Sequence, residues 1–287
     1  MKSIDEIQSV AVLGAGTMGN GIAQISAQAG WRTRLYDIEE AFVAKGMERI
    51  QAMLQKAVDR GKMDEEGRAR TLELLSTTCD LEEAVSGVDL VIEAIPERME
   101  LKKEVFARVA SLVAEDCLLA TNTSSLSVTE IAGAVPGPER FLGMHYFNPP
   151  PIMKLCEIVR GEKSSDETVA LAREIALRQG REPIVVKDRP GFASSRLGLI
   201  LGLEAIRMVE EEVASPEDID KAMKLGYRHP MGPLELTDLV GLDVRLSIAK
   251  YLAKTLDDRR FAPPALLERM VAEGKLGKKS GEGFYKW

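Results

Sequence analysis

Ser9-Val10-Ala11-Val12-Leu13-Gly14-Ala15-Gly16-Thr17-Met18-Gly19 is the stretch that decides the fold. A short apolar, β-branched run stops at Gly14, and a helix-compatible segment, Thr17 to Ala29, starts inside the glycine motif. Strand, tight turn and helix are therefore expected in that order. Working outward, Thr33 to Tyr36 reads as a second strand. Glu39 to about Arg60 reads as a long amphipathic helix with Phe42, Ile50, Leu54 and Val58 on its apolar side. The first βαβ unit is complete by Asp37.

Leu74 to Thr77, Val88 to Ile92 and Leu118 to Ala120 continue the strand series, with a charged helical pattern from Arg98 to Val113 before the last of them. Strands alternating with helices imply a parallel sheet covered on both faces. Phe141 to Phe147 and Lys154 to Val159 are separated only by a proline-rich connection, too short for a crossover helix, so this pair is expected to be antiparallel. A helix, Asp166 to Gln179, and a last strand, Ile184 to Val186, follow. After Lys187-Asp188-Arg189-Pro190-Gly191 the pattern becomes helical throughout, with a capped start at Ser215-Pro216-Glu217-Asp218. The fold class is α/β: a Rossmann-type, mostly parallel sheet ending in an antiparallel hairpin over residues 1–187, then an all-helical domain over 188–287.

Composition narrows the function. The 287 residues carry 38 Lys plus Arg against 45 Asp plus Glu, a net charge of -7 that disfavours nucleic acid as a partner. Ser9 to Trp31 is uncharged but too polar and too rich in glycine for a membrane span. Asp5 and Glu6 interrupt the place where a signal peptide needs its apolar run, so a cytoplasmic protein is expected. Cys79, Cys117 and Cys156 are odd in number and far apart, which suits neither a disulfide frame nor a zinc site, and no metal is expected.

Gly14, Gly16 and Gly19 have the spacing of a dinucleotide loop, in the context that such a loop needs. Gly14 allows the turn, Gly16 lets the backbone approach a pyrophosphate, and Gly19 lets the helix pack on the strand, with Thr17 and Met18 completing the loop. Asp37 would accept hydrogen bonds from the adenosine ribose. Ile38, Glu39 and Glu40 follow it, so a 2'-phosphate would meet negative charge, and NAD is favoured over NADP.

Only two histidines exist, His145 and His229. His229 lies in a turn-like Pro-Met-Gly-Pro context and reads as structural. If Pro151 centres the hairpin, His145 and Glu157 are equidistant from the turn and face each other, with Cβ atoms about 5 Å apart. Glu157 sits among apolar residues, and a buried carboxylate needs a partner. The pair would fix the imidazole tautomer and give a base able to take a proton from an alcohol. The plainer alternative for a lone strand histidine is a core residue.

With these residues in place, the chain resembles the short-chain L-3-hydroxyacyl-CoA dehydrogenases, and most closely their bacterial 3-hydroxybutyryl-CoA branch. Asn122-Thr123-Ser124-Ser125-Leu126, His145-Tyr146-Phe147-Asn148-Pro149, Lys154-Leu155-Cys156-Glu157, Asp188-Arg189-Pro190-Gly191-Phe192, His229-Pro230-Met231-Gly232-Pro233 and the terminal Lys279 to Tyr285 carry the resemblance over nearly the whole chain. It implies NAD-linked interconversion of an (S)-3-hydroxyacyl-CoA and its 3-ketoacyl-CoA, with His145 as base and Glu157 as its orienter. It places Ser124 and Asn148 near the substrate oxygen and the nicotinamide, and Asn122 beside them in the cofactor site. Glu97 and Lys102 match a pair near the nicotinamide, although a solvated pair at a helix start is an equal reading. The helical domain is implied to form a homodimer.

One position departs from the pattern: Ser195 stands before Arg196 where the family has Asn. Serine is shorter and lacks the second amide donor, which predicts lowered turnover or altered substrate choice. Lys56, Arg60 and Lys62 are candidates for a phosphate of CoA, against the commoner reading of a solvated charged face. The competing functions are a dehydrogenase of a free polyol or hydroxy acid, resembling the L-gulonate dehydrogenases, and a dinucleotide-binding protein without turnover.

Overall fold

β1 (Ser9–Leu13) is fully buried from Val10 onward because it is a central strand of a mostly parallel sheet packed under helices, which is why its sequence is continuously apolar rather than alternating. The computed structural model describes residues 2–287. The chain divides into two units, the first running to Asp188 and the second from Arg189 to Trp287.

In the first unit β1 is followed by α1 (Thr17–Gln28), β2 (Arg32–Tyr36), α2 (Glu40–Asp59), α3 (Glu65–Glu73), β3 (Leu75–Thr78), α4 (Leu81–Val85), β4 (Leu90–Glu93), α5 (Met99–Leu112) and β5 (Leu118–Thr121). Then come α6 (Val128–Ala132), β6 (Phe141–Tyr146), β7 (Leu155–Arg160), α7 (Asp166–Arg178) and β8 (Glu182–Lys187). They form one eight-stranded sheet in the order β3-β2-β1-β4-β5-β6-β7-β8. Every neighbouring pair is parallel except β6–β7, the expected hairpin. The hairpin is not the sheet edge: β8 returns through α7 and pairs parallel to β7.

The apolar face of α2 is as expected at Ile50 and Leu54 but not at Phe42. Val43, Gly46, Ile50 and Leu54 face the core, while Phe42 is 46% exposed. Gly46 lets the helix lie close against the glycine loop, since a side chain there would press on Ala15 and Leu35 at 3.1 Å. At the other end of the sheet Asp89 is buried and accepts from the amides of Gln8 and Ser9 (both 2.9 Å), from the Ser9 hydroxyl (2.9 Å) and from the Lys2 ammonium. Burial pushes its pKa up, but these donors outweigh it and hold the carboxyl below its ordinary range.

The second unit comprises α8 (Ser194–Glu210), α9 (Pro216–Gly226), α10 (Pro233–Val240), α11 (Leu242–Leu256) and α12 (Ala265–Ala272). Leu199, Leu203, Ile206, Leu234 and Leu252 are among the residues of its core. Ser215 caps α9 as its sequence predicts, accepting from the Asp218 amide at 3.2 Å. Two buried carboxylates tie the unit together. Asp220 accepts from the amides of Leu234 and Glu235 and from the Tyr285 hydroxyl, each at 2.8 Å. Asp238, fully buried, accepts from the amides of Phe284 and Tyr285 and from the Trp287 indole, each at 2.9 Å. Among the described residues no helix is long and apolar enough to cross a membrane.

Candidate active site

The glycine loop runs from the C-terminal end of β1 to the first turn of α1, where unpaired amides and the helix dipole favour an anion. Its three glycines differ in their reasons. Gly14 has φ +102°, and a Cβ there would lie 2.6 Å from the Ala94 carbonyl oxygen. A Cβ on Gly19 would collide with the Gly14 carbonyl. Nothing lies within 4 Å of where a Gly16 Cβ would be, so the space it leaves is open to a ligand. Asp37 accepts from the Ala15 amide at 2.7 Å and the Ile38 amide at 2.8 Å, one on each carboxylate oxygen. About two further lone pairs remain for ribose hydroxyls. A cleft of 630 Å³ is lined by this loop, Asp37, Ile38, Phe42, Ala94, Ile95 and Pro96. The size, the open glycine and the spare acceptor sites fit a dinucleotide.

Met18, Ala94 and Ile95 also line a second cavity, of 310 Å³, together with Glu97, Lys102, Asn122, Ser124, His145, Phe147 and Asn148. His145 and Glu157 are cross-strand partners in the β6–β7 register. Nδ1 of the imidazole lies 2.7 Å from Oε2 of Glu157, and the carboxylate is fully buried. The Phe147 ring packs on the imidazole with 4.5 Å between centroids. The Asn122 side-chain oxygen accepts from the Tyr146 amide at 2.9 Å, tying β5's end to β6 just beyond the histidine.

Lys102 is not a solvated helix-start residue. It is 1% exposed, with Nζ 2.6 Å from Glu93 and 3.4 Å from Glu97. Glu93, fully buried, also accepts from the Ile95 amide and the Thr121 hydroxyl, each at 2.7 Å. Burial pushes the Glu93 pKa up against the pull of Lys102 and Thr121. Burial acts the same way on Glu97, but there Lys102, the Thr123 hydroxyl (2.6 Å) and the Ser124 amide (2.9 Å) prevail and hold the carboxyl below its ordinary range.

A third groove, of 390 Å³, lies among α1, α2 and the hairpin loop, lined by Thr17, Arg49, Lys56, Asn148 and Pro149 to Pro151 among others. Lys56 reaches it; Arg60 caps the exposed end of α2 and Lys62 follows, and neither lines it. Ser195 stands in the first turn of α8, in the helical unit. Sequence reading missed Glu93, Phe42, Lys45 and Arg49. The last three line the dinucleotide cleft, at the i, i+3, i+7 spacing of a single stripe of α2. The two cations stand on α2, whereas the residues beside Asp37 remain Ile38, Glu39 and Glu40.

A glycine-loop cleft opening beside a buried imidazole–carboxylate pair is the architecture of a nicotinamide-dependent dehydrogenase. Residues 9–189 match the model of the 3-hydroxyacyl-CoA dehydrogenase NAD binding domain, and residues 191–287 match that of the 3-hydroxyacyl-CoA dehydrogenase C-terminal domain. The chain belongs to the 3-hydroxyacyl-CoA dehydrogenase family, and its cofactor is NAD. It is 44% identical to a probable 3-hydroxybutyryl-CoA dehydrogenase of Bacillus subtilis, over 98% of this chain and 97% of that one. It is also 44% identical to the 3-hydroxyadipyl-CoA dehydrogenase of Escherichia coli, over 98% of this chain but 59% of the longer relative. The crystal structure of an (S)-3-hydroxybutyryl-CoA dehydrogenase from Ralstonia eutropha superposes with a TM-score of 0.95 at 39% identity, over 98% of this chain and 99% of that one.

Proposed function

We propose that the chain interconverts a short (S)-3-hydroxyacyl-CoA, such as 3-hydroxybutyryl-CoA, and the corresponding 3-ketoacyl-CoA. The observation that carries this reading is the 2.7 Å contact between His145 and the fully buried Glu157, in a cavity that shares walls with the dinucleotide cleft. An ionised carboxylate only accepts, so the Nδ1 proton points to Glu157 and Nε2 is left as the base. In the oxidative direction His145 takes the hydroxyl proton, and the adjoining Glu157 stabilises the imidazolium that results. In reduction the same proton returns to the ketone oxygen. Bound NAD supplies the hydride acceptor for oxidation and, in its reduced form, the hydride donor.

Ser124 and Asn148 line the cavity and offer hydroxyl and amide donors to the negative charge that develops on the substrate oxygen. Lys56 and Arg49 offer cations to the phosphates of CoA in the neighbouring groove. Leu197, Leu225 and Tyr227 are 68%, 76% and 75% exposed on the helical unit, and large apolar side chains left open on it support a homodimer, which sedimentation velocity checks.

The test is NADH absorbance decay with acetoacetyl-CoA, run beside free acetoacetate and on His145→Gln. Decay with the thioester alone, reduced by 10² or more in the variant, is the expected result. Turnover of free acetoacetate at the same rate would point instead to a dehydrogenase of free hydroxy acids, and undiminished decay in the variant would remove His145 as the base.

A further inference from the structure

α11 turns one face inward, and the residues on it are Leu242, Arg245, Ala249 and Leu252. Three of these belong to the apolar core of the helical unit, whereas the fourth is a guanidinium with 7% of its surface exposed. A cation in such a position ordinarily has a carboxylate or backbone carbonyls beside it, because burial strips its water and returns nothing. Among the described residues no Asp or Glu lies within ion-pair distance of Arg245, and no hydrogen bond leaves its side chain; Nε is enclosed without an acceptor. Burial alone acts on its pKa, drawing it down to about 10, so the group is still charged at neutral pH.

The facing helix carries a second anomaly. Gly198 lies inside α8 with no unusual backbone angle, where glycine weakens a helix and its conformational freedom is not needed. What glycine leaves there is a gap the size of a methyl group. A Cβ on Gly198 would meet a single group, Nη1 of Arg245, at 3.8 Å. Of the side-chain nitrogens of Arg245, Nε alone is enclosed without an acceptor, and Gly198, beside Nη1, is itself partly exposed.

We propose that Arg245 and the space left by Gly198 form a receptor for one carboxylate of a small organic acid. The planar fork of the guanidinium matches a carboxylate at two points, and the surrounding core favours an anion that brings its own apolar chain over a strongly hydrated inorganic ion. A free short-chain acid carries that chemistry.

The experiment is thermal unfolding of the full chain at pH 7 and constant ionic strength, with sodium butyrate or sodium adipate replacing sodium chloride. The expected result is a rise in Tm with at least one of the two acids. That rise is lost in Arg245→Met, which exchanges an unpaired cation for an apolar chain of similar reach and therefore folds. In Gly198→Val, which keeps the cation and fills the space, the apparent affinity falls by about tenfold or more. A rise of equal size in Arg245→Met, or no rise with either acid, would overturn the proposal. So would a changed sedimentation coefficient in Arg245→Met without any response to carboxylate, which would assign the counter-charge to a second copy of the chain. The unfolding measurement needs no turnover, so its outcome is separate from that of the activity proposed above.

Discussion

Lys102 holds two carboxylates in the wall of the candidate site, and its removal sets up a measurable imbalance. Lys102→Met would leave Glu93 fully buried with only the Thr121 hydroxyl and the Ile95 amide against it. Breaking a buried pair from one side costs about 3–5 kcal/mol. The double variant Lys102→Met/Glu93→Gln should recover most of that loss, because the amide needs no counter-charge; denaturant unfolding of the four members of the cycle measures it. Recovery of less than half would mean that Lys102 acts through its packing instead. Glu93 was illegible in the sequence for a definite reason. It reads as the last residue of an apolar strand, and its partner nine residues on becomes a neighbour only after the chain has turned from β4 into α5. The His145–Glu157 juxtaposition was legible because strand pairing is arithmetic: once the turn is placed, residues equidistant from it must face.

The β1–α1 turn allows two substitutions of one chemistry to be set against each other. Gly16→Ala adds a methyl group where no protein atom lies within 4 Å, so stability should change by less than about 1 kcal/mol while the Kd for NADH rises about tenfold or more. Gly19→Ala drives the same methyl group into the Gly14 carbonyl, and the strain should cost about 3 kcal/mol or more. Thermal unfolding and fluorescence titration of both variants check the contrast. Equal stability losses would mean that both glycines serve packing alone. At this scale the order of strands and helices was open to reading from hydrophobic runs and glycine punctuation. The inward residue at the start of α2 was misassigned although the period contains it: Val43, seven residues before Ile50, falls on the stripe of Ile50 and Leu54, whereas Phe42 is turned about 80° away, toward the cleft.

Across the whole molecule, stability in acid should depend on Asp89. Its folded-state pKa is depressed, so its contribution is present above the unfolded value of about 3.9 and is lost as pH falls through the folded-state value. Asp89→Asn should therefore cost about 1–3 kcal/mol at pH 7, and the difference from the native chain should shrink below about pH 4. Guanidinium unfolding at pH 7 and pH 3 compares the two, and a difference that stays constant would show that the charge of Asp89 is immaterial. The two-unit plan was visible in the change from alternating elements to helices alone. The interlocking of the helical unit was not, since Asp238 stands in an apolar helix and takes its donors from residues more than forty positions later. That lock has a temporal side. A ribosome delivers residues in order, and the first unit can assemble around its sheet as soon as β8 has emerged. The helical unit has no such head start: its buried carboxylate at 238 stays without partners until Phe284, Tyr285 and Trp287 have been synthesised, so this unit cannot close when its helix has emerged but only after those later residues have followed it.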